Sequence, residues 1–165
     1  MADIGIVFHS ETGNTAAMAE MVAEGCRSVE GVGEIRMMEW NAVDTGYLER
    51  CRAVIIGCPN YEGCCSWQIK KFLDSPGDAA PLAGKLGGVF VTQNWPGGGG
   101  GSFAEMAMIA GMLVRGMLIY AGGIAEGYPP VHFGAVACKK PEGFDRERAV
   151  KLGRNIAAMT VELWG

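Results

Sequence analysis

The chain has 165 residues, 49% of them hydrophobic and 19% charged, and a formal net charge of -4. That length fits one domain over 1–165 with a substantial core, while the acidic balance, with no Lys/Arg run, excludes sequence-independent binding to nucleic acid or to an acidic membrane surface. Residues 1–8 lack a basic start and no stretch approaches about 18 uninterrupted apolar residues, so the expectation is a cytoplasmic protein without membrane insertion, its six cysteines reduced.

Ile4, Ile6, Val7 and Phe8 form the short apolar run of a strand buried on both faces, and Ser10-Glu11-Thr12-Gly13-Asn14-Thr15 ends it. Asn14 is expected to cap a helix to about Ser28, with Met18, Met21, Val22, Gly25 and Cys26 on one face. Glu34–Trp40 reads as a second strand near an edge, residues 44–50 as a helical turn, and Ala53–Gly57 as the strongest strand of the chain. A loop at 58–65 precedes a helix capped by Ser66 and carrying Trp67, Ile69, Phe72 and Leu73. Val89–Val91 is a fourth buried strand, followed by a long loop from Thr92 through the glycines at 97–101. Ser102 and Glu105 have capping-box spacing, which predicts a helix from 102 to Val114. Met117–Tyr120 is a fifth strand, 122–130 a loop, and 133–138 either a short strand or an extension. A closing helix, capped by Asp145, aligns Ala149, Leu152, Ile156, Met159 and Leu163.

Strands alternating with helices imply right-handed crossovers and an α/β fold, a doubly wound five-stranded parallel sheet in the flavodoxin-like order 2-1-3-4-5 with helices on both faces. Ligands of such sheets bind beyond the carboxyl ends of the strands, where the loops after strands 1, 3 and 4 meet. The first loop has the features of a phosphate cradle: a glycine, short hydroxyl and amide side chains, and a helix start whose N–H groups face an anion. It lacks the lysine of a nucleotide-triphosphate loop, and no dinucleotide G-x-G-x-x-G pattern opens a helix elsewhere. The other two loops supply Pro59, Asn60, Tyr61, Thr92, Gln93, Asn94 and Trp95, suited to a flat aromatic ligand bearing a phosphate. Flavin mononucleotide (FMN) fits that description, with Tyr61 and Trp95 expected to stack on its rings.

Several segments together resemble the flavodoxin-like FMN flavoproteins, and among them the WrbA-type NAD(P)H:quinone oxidoreductases. These are Ser10–Thr15, Gly57-Cys58-Pro59-Asn60-Tyr61-Glu62-Gly63, Gln68–Asp74, Gly84-Lys85, the glycine run and Phe133-Gly134-Ala135. The resemblance implies that Ser10, Glu11, Thr12, Gly13, Asn14 and Thr15 hold the FMN phosphate and that Pro59, Asn60, Tyr61, Glu62 and Gly63 lie along the ring edge. It assigns Thr92, Gln93 and Asn94 the third contact, with Trp95 and Gly98 beside them. It also implies NAD(P)H as co-substrate, a quinone-like acceptor or redox protein as partner, and a homo-oligomer, dimer or tetramer, in which Trp95, Arg115 or residues 128–134 act across an interface. The chain departs from the family where a Thr-Arg-Phe-Gly type sequence is replaced by Asn60–Gly63 and where Arg115 stands in place of a frequent histidine. An electron carrier without a nicotinamide site is the alternative. No catalytic acid or base stands out, the chemistry being the flavin's. Cys58, Cys64 and Cys65 read as loop residues and not as a metal site, and His9 and His132 as structural.

Overall fold

The computed structural model describes residues 1–165. Its elements run β1 (Ala2–Phe8), α1 (Asn14–Arg27), β2 (Val32–Glu39), α2 (Thr45–Arg50), β3 (Ala53–Tyr61), β4 (Cys64–Cys65), α3 (Trp67–Leu73), β5 (Leu86–Gln93), α4 (Gly101–Val114), β6 (Leu118–Ile119), β7 (Ala135–Cys138) and α5 (Gly143–Trp164). The sheet order is β2-β1-β3-β5-β6, every one of these pairs parallel.

The strand period of two divides the core. Ile4, Ile6, Phe8, Ile55 and Phe90 point to the face covered by α1 and α5, where they meet Met18, Val22, Leu152 and Ile156. Val7, Val54, Ile56, Val89 and Val91 point the other way, against Leu48, Ile69, Phe72, Met108 and Met112 of α2, α3 and α4. Strands so apolar on both sides are stable only when sandwiched, which is why the crossover helices are split between the faces.

The order read from the sequence is the observed one, with the last position shared. β6 pairs with Leu86 and Gly87, β7 pairs with Phe90–Gln93, and residues 120–134 leave the sheet between them. The stretch 133–138, open between strand and extension, thus supplies a strand over Ala135–Cys138. The starts of α1 and α5 differ from expectation. Gly13, in the left-handed region at φ 90°, caps α1, and Asn14 is its first helical residue. Glu142 caps α5, leaving Asp145 to accept from the Cys138 N–H at 3.0 Å and tie helix to strand. Ser66 does occupy the cap of α3, but its side chain makes no capping bond.

Candidate functional site

The carboxyl ends of β1, β3 and β5 open onto one cavity of about 490 Å³ lined by Glu11, Thr12, Asn14, Thr15, Pro59, Asn60, Tyr61, Glu62, Thr92, Gln93 and Asn94. All eleven belong to the three predicted loops. Among the other candidates, the Ser10 hydroxyl oxygen accepts from the Ala16 N–H at 3.1 Å and fastens the first loop to α1. Gly13 and Gly63 shape turns, whereas Gly98 lines an adjoining cavity and Trp95, 73% exposed, is not part of either wall.

Donors dominate the first loop. The left-handed turn at Gly13, which a side chain would strain, sets the N–H groups of Asn14 and Thr15 ahead of the first intrahelical bond, from Ala17 N to Gly13 O at 2.9 Å. With the positive end of α1 behind them, an anion held there gains about 1 kcal/mol from the helix dipole. Thr15 Oγ1 lies 2.8 Å from Thr92 Oγ1, both buried, so one hydrogen bond joins the first loop to the third. The Glu11 carboxylate is held to one side: it accepts from the Tyr61 hydroxyl at 2.8 Å, and His9 Nε2 is 3.4 Å from the same hydroxyl. Burial and the neighbouring Glu11 push the tyrosine up to about 12, and burial lowers the histidine below its ordinary value.

The segment 58–65, expected as a loop, is a hairpin. β3 continues through Pro59, which pairs with Thr92, to Tyr61, and then returns as β4 with Asn60 opposite Cys65 and Tyr61 opposite Cys64. Glu62 at φ 51° and Gly63 at φ 79° make the turn, the pair of positive φ values that two-residue hairpins demand. The hairpin gives the cavity a rigid wall. On it, Asn60 Nδ2 donates to Gly99 O, while Asn60 Oδ1 is buried without a partner. That leaves an acceptor available to a ligand carrying N–H groups along an edge.

At the third loop the capping box is absent. Gly100 caps α4, and the Gln93 side chain, from the end of β5, accepts from the Gly101 N–H at 2.9 Å. Glu105 instead turns inward, 3% exposed, and its Oε1 has no partner. Burial pushes its carboxyl up to about 7, against the pull of the Arg148 charge. The folded chain therefore keeps this proton to higher pH than the unfolded chain. The associated stability is present below the unfolded value of 4.5 and lost as the pH rises through about 7. Glu105→Gln is expected to remove that loss. Urea melts should give a wild-type midpoint that declines between about pH 5 and about pH 8 and a variant midpoint that declines less.

Arg115 lies apart from the cavity: its guanidinium donates to Leu73 O at 3.1 Å, to Ser75 O and to Ala80 O at 2.8 Å, pinning the segment after α3. Cys58 is buried against Met108, with Sγ 3.6 Å from the thioether sulfur, and burial pushes its thiol up to about 12. Cys65 is raised to about 11 by burial and by Cys64, so neither buried thiol is a ready thiolate at neutral pH. No helix is long and apolar enough to cross a membrane.

A donor-rich pocket at a helix N-terminus, opening onto a slot walled by a hairpin and a glycine-rich loop, suits a planar ligand with an anionic tail. The chain is similar to several known proteins. A flavodoxin from Clostridium saccharobutylicum is 34% identical over 154 residues, spanning 93% of this chain and 94% of that protein. An NAD(P)H dehydrogenase (quinone) from Archaeoglobus fulgidus is 29% identical, spanning 99% and 100%. That alignment runs over 197 positions against 165 residues here, so the archaeal protein carries segments this chain lacks. The solved flavodoxin, WrbA-like protein from Agrobacterium tumefaciens superposes with a TM-score of 0.72 at 25% identity, covering 98% of this chain and 99% of that one. The flavodoxin family model matches residues 6–107, more than half the sequence, and the chain belongs to the flavodoxin family.

Proposed function

We propose that the three-loop cavity binds FMN and that the protein is an FMN-dependent oxidoreductase, taking electrons from NAD(P)H and passing them to a quinone-like acceptor. The observation that carries this reading is the polarity of the cavity. Donors from residues 12–15 stand at one end, and the unpartnered Asn60 Oδ1 stands on the hairpin wall. Bound FMN would supply the hydride and electron chemistry. The chain's own residues bind and orient. Thr12, Asn14 and Thr15 would hold the phosphate, Asn60 would accept from an N–H of the ring system, and Pro59 with Tyr61 would line its edge. The Glu11 carboxylate, which also lines the cavity, is engaged by the Tyr61 hydroxyl. Several relatives named NAD(P)H dehydrogenase (quinone) support the enzymatic form of the reading.

The second reading is an electron carrier with no nicotinamide site. It is favoured by the near-equal length shared with the clostridial flavodoxin and by the segments present only in the longer archaeal dehydrogenase. Stopped-flow mixing of the FMN-loaded protein with NADH and with NADPH separates the two. Rapid loss of the flavin's visible absorbance, recovered on adding benzoquinone, is expected of the enzyme. Inertness to both nicotinamides, with a one-electron form accumulating during redox titration, is the carrier's result.

A further inference from the structure

Across residues 96–101 from the first cavity lies a second, of about 520 Å³, and Gln93 is common to both walls. Two polar groups face it without being satisfied by the protein. Glu105 is 3% exposed and its Oε1 accepts no hydrogen bond. Arg148, half-buried, donates from Nε to Pro130 O at 3.2 Å and from Nη2 to Gly134 O at 3.4 Å, lies 6.0 Å from the Phe144 ring centroid, and has no hydrogen-bond partner for Nη1 in the protein. A buried acceptor left without a partner is rare in a folded chain, because it forfeits the hydrogen bonds it had in water, and here a half-buried cationic donor lines the same cavity.

The surroundings narrow what fits. Asp145 lines the same cavity, so its carboxylate stands against the Arg148 charge and no net field draws an anion. The leading N–H of α4 is already taken by Gln93. Phe103 and Phe133 also line the cavity, with 73% and 51% of their surface exposed. A hydroxyl is the small group that accepts one hydrogen bond while donating another, and aromatic walls favour a ring.

We propose that this cavity is a second small-molecule site, separate from the FMN pocket, for a neutral aromatic ring carrying a hydroxyl whose oxygen accepts from Arg148 and whose O–H donates to Glu105 Oε1. The site stands on its own residues and holds whether or not the adjoining cavity takes FMN.

The test is a titration of ¹⁵N-labelled, FMN-saturated protein with 4-methylphenol, followed by amide shifts. A parallel titration uses 4-methylanisole, which keeps the ring and loses the O–H. Saturable shifts are expected at Ser102, Phe133, Gly134 and Val136 and not at Thr12 or Asn60. The phenol should bind about fivefold or more tightly than the ether, the worth of one hydrogen bond. In Glu105→Met, which replaces an unpaired buried carboxyl with an apolar chain of similar length, the two probes should bind alike. Should that variant fail to fold, the phenol–ether comparison on the wild type decides the matter. Equal affinities for the two probes in the wild type, absence of saturable shifts, or shifts confined to Thr12 and Asn60 would overturn the proposal.

Discussion

Replacing Gly25 or Gly153 by alanine is expected to cost about 3 kcal/mol of stability each, among the largest single effects the fold allows. The two glycines are where α1 and α5 cross on one face of the sheet. A Cβ built on Gly25 would sit 1.9 Å from Val150 O, and one built on Gly153 would sit 1.9 Å from Val22 O. Both obstructions are backbone, so no side chain can swing aside; the helices must separate. Separation would loosen Val22 and Cys26 of α1 from Leu152 and Ile156 of α5, all fully buried. Because either substitution opens the same crossing, the double variant should lose clearly less than the sum. Urea denaturation checks this through the midpoint at constant slope. Losses below about 0.5 kcal/mol would mean that the helices do not approach as closely as described.

The second large effect is on ligand affinity. Thr12→Val together with Thr15→Val is expected to weaken FMN binding by ~1 to 3 kcal/mol, roughly five- to two-hundredfold. The two threonines differ in kind. Thr12 is exposed in the loop, where its hydroxyl accepts a long 3.5 Å bond from Asn14 Nδ2, so its loss should act chiefly on the ligand. Thr15 is 2% exposed and bonded to Thr92 Oγ1, so its loss also strands a buried hydroxyl at the end of β5. Thr12→Val should therefore leave the melting midpoint of the ligand-free protein in place, whereas Thr15→Val should lower it. Flavin fluorescence titration and urea melts on the two single variants separate these contributions.

Much of the architecture was legible because strands buried on both faces announce themselves as unbroken apolar runs. Ile4–Phe8, Ala53–Gly57 and Val89–Val91 are all at the centre of the sheet. Once strands and helices alternate, topology alone brings the carboxyl ends of β1, β3 and β5 together, and the first cavity is lined by those strand ends, the turns after them and the start of α1. What escaped detection depends on long-range or very local geometry. Strand β4 is two residues long, and the Glu62-Gly63 turn before it places a non-glycine residue at positive φ, so neither period nor turn composition marked the hairpin. The Ser102–Glu105 spacing signalled a cap. The cap comes instead from Gln93 on the preceding strand, which frees Glu105 to point inward. Trp95 read as a ring-stacking residue from its place in a turn, yet the structure leaves it largely outside the pocket.

The reading of the three-loop cavity is tested most directly by titrating FMN into the purified protein and following visible absorbance and amide shifts together. The account predicts a saturable one-to-one yellow complex, with the largest shifts at Thr12, Asn14, Thr15, Asn60 and Gln93. A folded protein that stays colourless in excess FMN, or that shifts elsewhere and leaves those five residues unmoved, would contradict it.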